Sequence, residues 1–124
     1  MKEVKIYARA GQGAITTAVI LGEALFHEGK HSYAFPYFGA ARMGAPMNAF
    51  IRFDDKLIRL RSQIYEPDYI LVIDPTLIES QKCLDNLKKG ARAVIAVRED
   101  TIVPEVSDAE IKTLPAEKIA LDII

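Results

Sequence analysis

Near its start the chain reads Val4-Lys5-Ile6-Tyr7-Ala8-Arg9-Ala10-Gly11-Gln12-Gly13-Ala14-Ile15-Thr16-Thr17, and this stretch decides the fold. Residues 4–8 read as a first strand, and residues 9–13 form a glycine-containing loop. From residue 14 to about residue 28 apolar side chains recur every three or four positions, which predicts a helix. Gly22, in the middle of this helix, is expected to mark a close approach to a neighbouring element. A strand that leads through a tight loop into a helix is typical of an α/β domain.

The rest of the chain continues this alternation of strands and helices. Strands are predicted at residues 31–35, 47–53, 69–73, 93–97 and 111–114, and helices at residues 76–89 and from 115 onward. Residues 57–60 are expected to pair with 47–53 as an antiparallel hairpin, and residues 36–46 to be irregular because they hold two prolines and two glycines. The pattern predicts an α/β three-layer sandwich, with a mainly parallel sheet and the inserted hairpin, in a single domain over residues 1–124.

Charge and hydropathy exclude several classes of function. The net charge is −1 and the 16 Lys and Arg are spread along the chain, which argues against binding nucleic acid or a membrane surface. The run at residues 69–73 is too short to cross a bilayer, and no secretion signal is visible, so we expect a cytoplasmic protein. Apolar residues near position 124 would leave the last helix uncapped. We therefore expect either that the native chain continues or that a partner covers this surface.

Cys83 is the only cysteine. One thiol excludes an intrachain disulfide, a Cys-rich zinc site and an iron–sulfur cluster held by four thiolates. No histidine with a supporting acid is evident near it in the sequence. Cys83 is therefore interpreted as a small apolar filler of the core, and not as a nucleophile.

The glycine loop could bind an anion, because main-chain N–H groups and the positive end of the helix meet there. The candidate binding residues are Gly11, Gln12, Gly13, Thr16 and Thr17. A tight turn between a strand and a helix also uses glycine for geometric reasons alone, and both interpretations stay open. The loop lacks the Gly-Lys-Ser/Thr of a P-loop, and it lacks the third glycine of a dinucleotide fingerprint.

Four segments in order along the chain carry a family resemblance. They are Gly11-Gln12-Gly13-Ala14-Ile15-Thr16-Thr17-Ala18, then Ala34-Phe35-Pro36-Tyr37-Phe38-Gly39 with Arg42-x-Gly44-Ala45-Pro46, then Ala49-Phe50-Ile51-Arg52 with Ile58-Arg59-Leu60-Arg61-Ser62, and Ile64-Tyr65-Glu66-Pro67-Asp68 leading into Leu71-Val72-Ile73-Asp74-Pro75. Together they resemble the γ domain of 2-oxoacid:ferredoxin oxidoreductases of the pyruvate class. The resemblance covers residues 3 to about 122.

This resemblance implies a role in a larger complex. Such a complex converts pyruvate and coenzyme A (CoA) to acetyl-CoA and carbon dioxide and passes electrons to ferredoxin, or runs the reaction backward. Thiamine diphosphate, magnesium and the iron–sulfur clusters would belong to the α, β and δ subunits. The γ chain would complete the complex without a catalytic residue of its own, and its glycine loop, Arg42, Arg59 and Arg61 are candidate groups for CoA.

Each singled-out residue also has a structural interpretation. Arg42 either contacts an anion or a partner, or it bonds loop carbonyls. Arg59 and Arg61 are expected on one face of a strand, either as a patch for CoA phosphates or as solvated edge charges. Asp74 is interpreted as the cap of the helix that follows it.

Three other functions stay open at this point. The chain could be a free-standing nucleotide- or CoA-binding module. It could be the γ subunit for another substrate, such as 2-oxoglutarate, a branched-chain 2-oxoacid or indolepyruvate. It could also be a structural spacer whose glycine loop is only a turn.

Overall fold

A computed structural model of the chain describes residues 1–38, 44–85, 87–106 and 109–123. The described residues form one six-stranded sheet in the order β2-β3-β1-β4-β5-β6. The elements are β1 (Lys2–Arg9), α1 (Ala14–His27), β2 (His31–Phe38), β3 (Pro46–Asp54), β4 (Tyr69–Val72), α2 (Leu77–Ser80), β5 (Arg92–Ala96), β6 (Glu110–Leu114) and α3 (Ala116–Ile123).

The sheet is mainly parallel, as predicted. β1 pairs in parallel with β4, β4 with β5, and β5 with β6, whereas β3 runs antiparallel to both β1 and β2. The α/β class and the inserted antiparallel unit are therefore confirmed.

The predicted hairpin partner of the strand at residues 47–53 was wrong. β3 pairs with β2, and residues 57–60 do not form a strand. Ile58 is 7% exposed, and the Leu60 carbonyl accepts a hydrogen bond from Arg52, so this segment crosses the face of the sheet and does not extend its edge. β2 also continues through Pro36, in what was expected to be irregular chain. An edge strand tolerates proline because one side of the strand needs no N–H donor.

The second helix is shorter than predicted. α2 ends at Ser80, and the expected helix over residues 76–89 is wrong beyond that point. Lys82 adopts a φ of 50°, which no continuing helix permits. After this residue the chain packs Cys83 and Leu84 against the sheet, where they are 1% and 7% exposed. The layer on this side therefore consists of one helical turn and irregular chain.

Successive side chains alternate between the two faces of the sheet. The helix face packs against α1 and holds Val4, Ile6, Ala8, Met47, Ala49 and Ile51. The opposite face, here called the segment face, holds Tyr7, Ile70, Val72, Ala93 and Ile95 under Leu77, Cys83 and Leu84. β1 and β3 carry buried side chains on both faces, whereas β5 is buried on the segment face only, with Val94 39% exposed on the other.

The expected close approach at Gly22 is confirmed. The hydroxyl of Ser32 on β2 donates a 3.1 Å hydrogen bond to the Gly22 carbonyl. A Cβ atom at Gly22 would lie 3.4 Å from that hydroxyl oxygen. This distance is an ordinary van der Waals contact, so α1 lies close to the edge of the sheet and still leaves room for a methyl group at this position.

Candidate functional site

The glycine loop joins the carboxyl end of β1 to the amino end of α1. Gly11 and Gly13 have φ angles of 94° and 83°, in the left-handed region that other residues enter only with strain. The Gln12 N–H donates to the Arg9 carbonyl at 3.1 Å and closes the turn. Both glycines are therefore required by the turn itself, whether or not the loop binds a ligand.

The Gln12 side chain is held at both ends by the protein. Its Oε1 accepts a 2.7 Å hydrogen bond from the Arg9 N–H, and its Nε2 donates to Asp74 Oδ2 at 2.8 Å. The Thr17 hydroxyl likewise donates to the Gly13 carbonyl at 2.8 Å. Among the polar side chains predicted to bind a ligand here, two are thus engaged in holding the loop, while Thr16 is exposed.

Asp74 links this loop to the end of β4. Its carboxylate accepts hydrogen bonds from the Thr76 N–H at 3.0 Å and the Thr76 hydroxyl at 2.7 Å, and it lies 3.2 Å from Arg9 Nε. Burial alone would raise the pKa of Asp74, but the hydrogen bonds from Thr76 and Gln12 and the charge of Arg9 outweigh burial and lower it. The interpretation of Asp74 as the cap is wrong in position: Thr76 is the N-cap of α2 and makes no side-chain cap hydrogen bond, while Asp74 bonds Thr76 in the turn that leads into the helix.

Arg9 is, with Thr76, one of two members of this cluster that sequence reasoning missed. Its guanidinium donates to the Thr76 hydroxyl at 3.1 Å and to the Gly44 carbonyl at 3.2 Å, in addition to the ion pair with Asp74. The only sequence signal was its position directly after β1, where the carboxyl ends of parallel strands meet. The cluster of Arg9, Gln12, Asp74 and Thr76 holds three chain segments together.

A groove of about 490 Å³ opens beside this cluster on the helix face. Gln12 and Thr17 form one wall, Leu71 and Ile73 contribute to the floor, and α3 borders the other side. Ligands of open α/β sheets bind outside the carboxyl ends of the strands. The groove reaches that edge of the sheet, although its floor is apolar and offers few polar contacts.

The predicted arginines do not gather at the loop. Arg61 donates to the Ile58 carbonyl at 3.0 Å, and its guanidinium carbon lies 3.9 Å from the centre of the Tyr33 ring. Tyr33 belongs to the same row of the sheet as Arg52 and Glu3. Because Glu3 and Arg9 are six strand residues apart, this row is about 20 Å from the glycine loop.

Arg59 is exposed, and neither it nor Arg61 lies in a strand, so the expected shared strand face is wrong. Residues 57–63 are irregular because Arg52 donates hydrogen bonds to the carbonyls of Leu60 and Gln63 and so holds this stretch across the face of the sheet. Arg42 lies outside the described residues.

Cys83 is buried, and its Sγ donates a 3.3 Å hydrogen bond to the Leu77 carbonyl. Burial raises the pKa of the thiol to about 12. Cys83 is 1% exposed and packs within the core of the segment face, so the interpretation of this residue as a core filler is confirmed. Within the described ranges, no three His, Cys, Asp or Glu side chains are close enough together to hold a metal ion.

Comparison with known proteins shows a consistent set of relatives. The family model for pyruvate ferredoxin/flavodoxin oxidoreductase matches residues 3–124. The chain is 48% identical over 126 residues to pyruvate synthase subunit PorC of Methanocaldococcus jannaschii, covering all of this chain and 68% of that protein. It is 42% identical over 128 residues to the pyruvate/ketoisovalerate oxidoreductases common subunit gamma of Thermococcus litoralis, covering all of this chain and 69% of that protein.

Solved structures agree with these matches. The crystal structure of pyruvate oxidoreductase subunit PORC from Thermotoga maritima superposes with a TM-score of 0.77 at 31% identity, covering 98% of this chain and 65% of that one. A 2-oxoglutarate:ferredoxin oxidoreductase from Magnetococcus marinus has the same fold, with a TM-score of 0.78 at 18% identity over 98% of this chain and 21% of that one. The chain thus spans about two thirds of the PorC proteins that it matches.

Proposed function

The chain belongs to the pyruvate ferredoxin/flavodoxin oxidoreductase family, and on that premise we propose that it serves as the γ subunit of a pyruvate synthase. The complete enzyme would convert pyruvate and CoA to acetyl-CoA and carbon dioxide, with electrons passing to ferredoxin. The observation that carries the proposal is the 48% identity to a pyruvate synthase subunit PorC along the whole chain.

In this proposal the chain has a non-redox role. Thiamine diphosphate, magnesium and iron–sulfur clusters would supply carbanion stabilisation and one-electron transfer from the α, β and δ subunits. The donor chemistry of this chain does not fit a cluster held by four thiolates, because the chain has a single thiol and that thiol is buried. We place the complex in the cytoplasm; none of the described helices is long and apolar enough to cross a membrane.

Contact with CoA is a further part of the proposal. The side chains of Gln12 and Thr17 are already bonded within the protein. A CoA phosphate would therefore meet the free main-chain N–H groups of the first turn of α1 and the exposed Thr16. Arg42 stays a candidate from the sequence. Arg61 is a weaker one, because it lies near the opposite end of β1.

A second candidate function is a γ subunit shared by two enzymes. The relatives from Thermococcus litoralis and Thermococcus kodakarensis, 42% and 48% identical over the matched residues, are named common subunits of pyruvate and ketoisovalerate oxidoreductases. A shared subunit would complete two different sets of catalytic chains without selecting the 2-oxoacid. This chain would then assemble with either set.

Co-expression with the α, β and δ chains of the same source tests both candidates. A tag on this chain should recover all four, and CoA-dependent reduction of ferredoxin by pyruvate should require all four. Repeating the experiment with the branched-chain catalytic set and 2-ketoisovalerate distinguishes a dedicated subunit from a shared one. Turnover by this chain alone, or its failure to associate with any of the other chains, would contradict the proposal. Calorimetry of the isolated chain with CoA, ATP and NAD tests the alternative of a free-standing binding module, which requires binding without partners.

A further inference from the structure

Lys5 occupies an unusual position at the centre of the sheet. It lies in β1, a central strand, between Phe50 of β3 and Ile70 of β4. Its side chain is on the segment face, where Nζ lies 4.8 Å from the centre of the Tyr7 ring and 5.8 Å from that of Phe50. Lysine is rarely buried in proteins unless it is paired.

No acidic partner accompanies Lys5 in the described part of the chain. Lys30, Lys88 and Lys112 each lie within 4.0 Å of a carboxylate, but Lys5 makes no such pair. Burial lowers the pKa of Lys5, which means that its surroundings disfavour the ammonium. A half-buried, unpaired charge costs folding free energy, so the isolated fold alone does not explain a lysine here.

The surroundings of Lys5 fit one carboxylate better than a phosphate. Neighbouring Arg52 is already bonded to Glu3 and to the carbonyls of Leu60 and Gln63. The main-chain N–H groups of β1 are used in pairing with β3 and β4. Lys5 therefore offers a single positive charge without a second free donor beside it, whereas phosphate sites combine several donors.

A row of aromatic rings extends from Lys5 to the edge of the sheet, buried at Phe50 and more exposed along β2. Phe35 lies 5.1 Å from Phe50 between ring centres and 5.4 Å from Tyr33, and Tyr37 further along β2 is 46% exposed. Aromatic side chains around a desolvated charge are typical of the energetically dominant part of a protein interface. The positive charge and the rings together form a site suited to an acidic side chain that is surrounded by apolar residues on the partner.

We propose that Lys5, which lies over the buried rings of Tyr7 and Phe50, forms with the more exposed rings of Phe35 and Tyr37 a docking site for an Asp or Glu side chain of another subunit of the oxidoreductase. This inference rests on the proposed function, since it requires those subunits. The carboxylate would neutralise Lys5, and the rings would exclude water from the pair. Lys5 thereby disfavours folding of the isolated chain and favours assembly.

The test compares Lys5→Met with Lys2→Met. Lys2 is the matched control, because it is an exposed lysine of the same strand on the opposite face. In the isolated chain, Lys5→Met should melt at the same or a higher temperature, since an unpaired buried ammonium is removed. Its dissociation constant for the co-purified α, β and δ subunits should rise roughly 30-fold or more. Lys2→Met should leave assembly unchanged.

Acylation of lysines by a water-soluble amine-reactive ester, read out by peptide mass spectrometry, gives a second measurement on the unmodified chain. Lys5 should be acylated in the isolated protein and become at least tenfold less reactive in the complex. If the wild-type chain assembles while Lys5→Met binds equally well and Lys5 stays reactive in the complex, this inference alone is overturned. If the wild-type chain does not assemble, the proposed function fails and this inference fails with it.

Discussion

Replacement of Arg52 by methionine should be among the most destabilising single changes in the protein. Arg52 is 1% exposed and is the largest of the fully buried side chains. Its Nε donates to Glu3 at 2.8 Å, and its two terminal nitrogens donate to the carbonyls of Leu60 at 3.3 Å and Gln63 at 3.1 Å. Methionine fills much of the same volume but supplies none of these donors.

The expected loss follows from the groups left without a partner. Breaking a buried ion pair by removing one member costs about 3–5 kcal/mol. The Glu3 side chain keeps 21% exposure, so water recovers part of that loss. The two carbonyls each lose a hydrogen bond worth about 1 kcal/mol. We therefore expect Arg52→Met to lower the free energy of unfolding by about 3–4 kcal/mol, a large share of the stability of an ordinary domain.

Urea unfolding measures this loss, and limited trypsin digestion locates it. Since Arg52 holds residues 57–66 to the sheet, cleavage after Arg59 and Arg61 should become faster in the variant. Arg92→Met is the control, because Arg92 is 67% exposed and its pair with Glu110 is long, at 3.6 Å. That variant should stay within about 0.5 kcal/mol of the wild type. If Arg52→Met loses no more stability than the control and the segment stays protected, the buried pair does not hold the segment as argued.

Three further predictions concern Asp74, the glycines of the loop and of α1, and the buried thiol of Cys83. Asp74→Asn should lower the free energy of unfolding by about 2 kcal/mol at pH 7, since it weakens charge-assisted hydrogen bonds. Because the pKa of Asp74 is lowered in the folded state, the stabilisation is present above the unfolded pKa of about 4 and is lost as the pH falls through the folded value. The free energies of unfolding of the two proteins, measured in urea, should therefore converge at low pH. Gly13→Ala should cost about 1–2 kcal/mol because its φ is 83° although nothing lies within 4 Å, whereas Gly22→Ala should be neutral or stabilising because alanine favours a helix interior by about 1 kcal/mol. The Cys83 thiol should resist a disulfide reagent at pH 8 until the protein unfolds. Since burial raises the pKa of this thiol to about 12 from the usual 9.0, its contribution to the free energy of unfolding should be lost as the pH rises from about 9 toward 12.

Each of these has an outcome that contradicts it. A constant stability difference between wild type and Asp74→Asn from pH 7 to pH 3 would show that the carboxylate charge is not what the loop uses. Equal melting temperatures for Gly13→Ala and Gly22→Ala would remove the argument from the left-handed turn. Rapid labelling of Cys83 in the folded protein would show that the segment over it opens easily.

The first third of the chain shows how far local pattern reaches. The strand, the glycine loop and α1 were predicted from their own residues, because the spacing of apolar side chains and the φ requirements of glycine act within a few positions. The strand at residues 47–53 was predicted by the same logic, and its residues Met47, Ala49 and Ile51 lie together on the helix face. Asp74 was recognised as a residue that bonds the chain just before α2, whereas its contacts with Gln12 and Arg9, distant in the chain, became visible only in the folded protein.

The failures have a different cause. Residues 57–60 look like a strand by composition, but Arg52 binds a carbonyl within them and draws the segment across the sheet. The helix after Asp74 ends early because burying Cys83 and Leu84 is worth more than continuing it through Lys82. In both places a contact between residues distant in sequence or a buried surface outweighs local preference.

The residues alone were enough to predict the α/β class, the tight turn of the glycine loop, the lack of thiols for a cluster and the family to which the chain belongs. Only the tertiary structure decided that Gln12 is bonded at both ends, that Arg61 lies far from the loop, and that Lys5 stands unpaired among aromatic rings. The reason is physical: periodicity and backbone preference act between near neighbours in the chain, whereas hydrogen-bond partners, ion pairs and desolvation depend on which strands come to lie side by side.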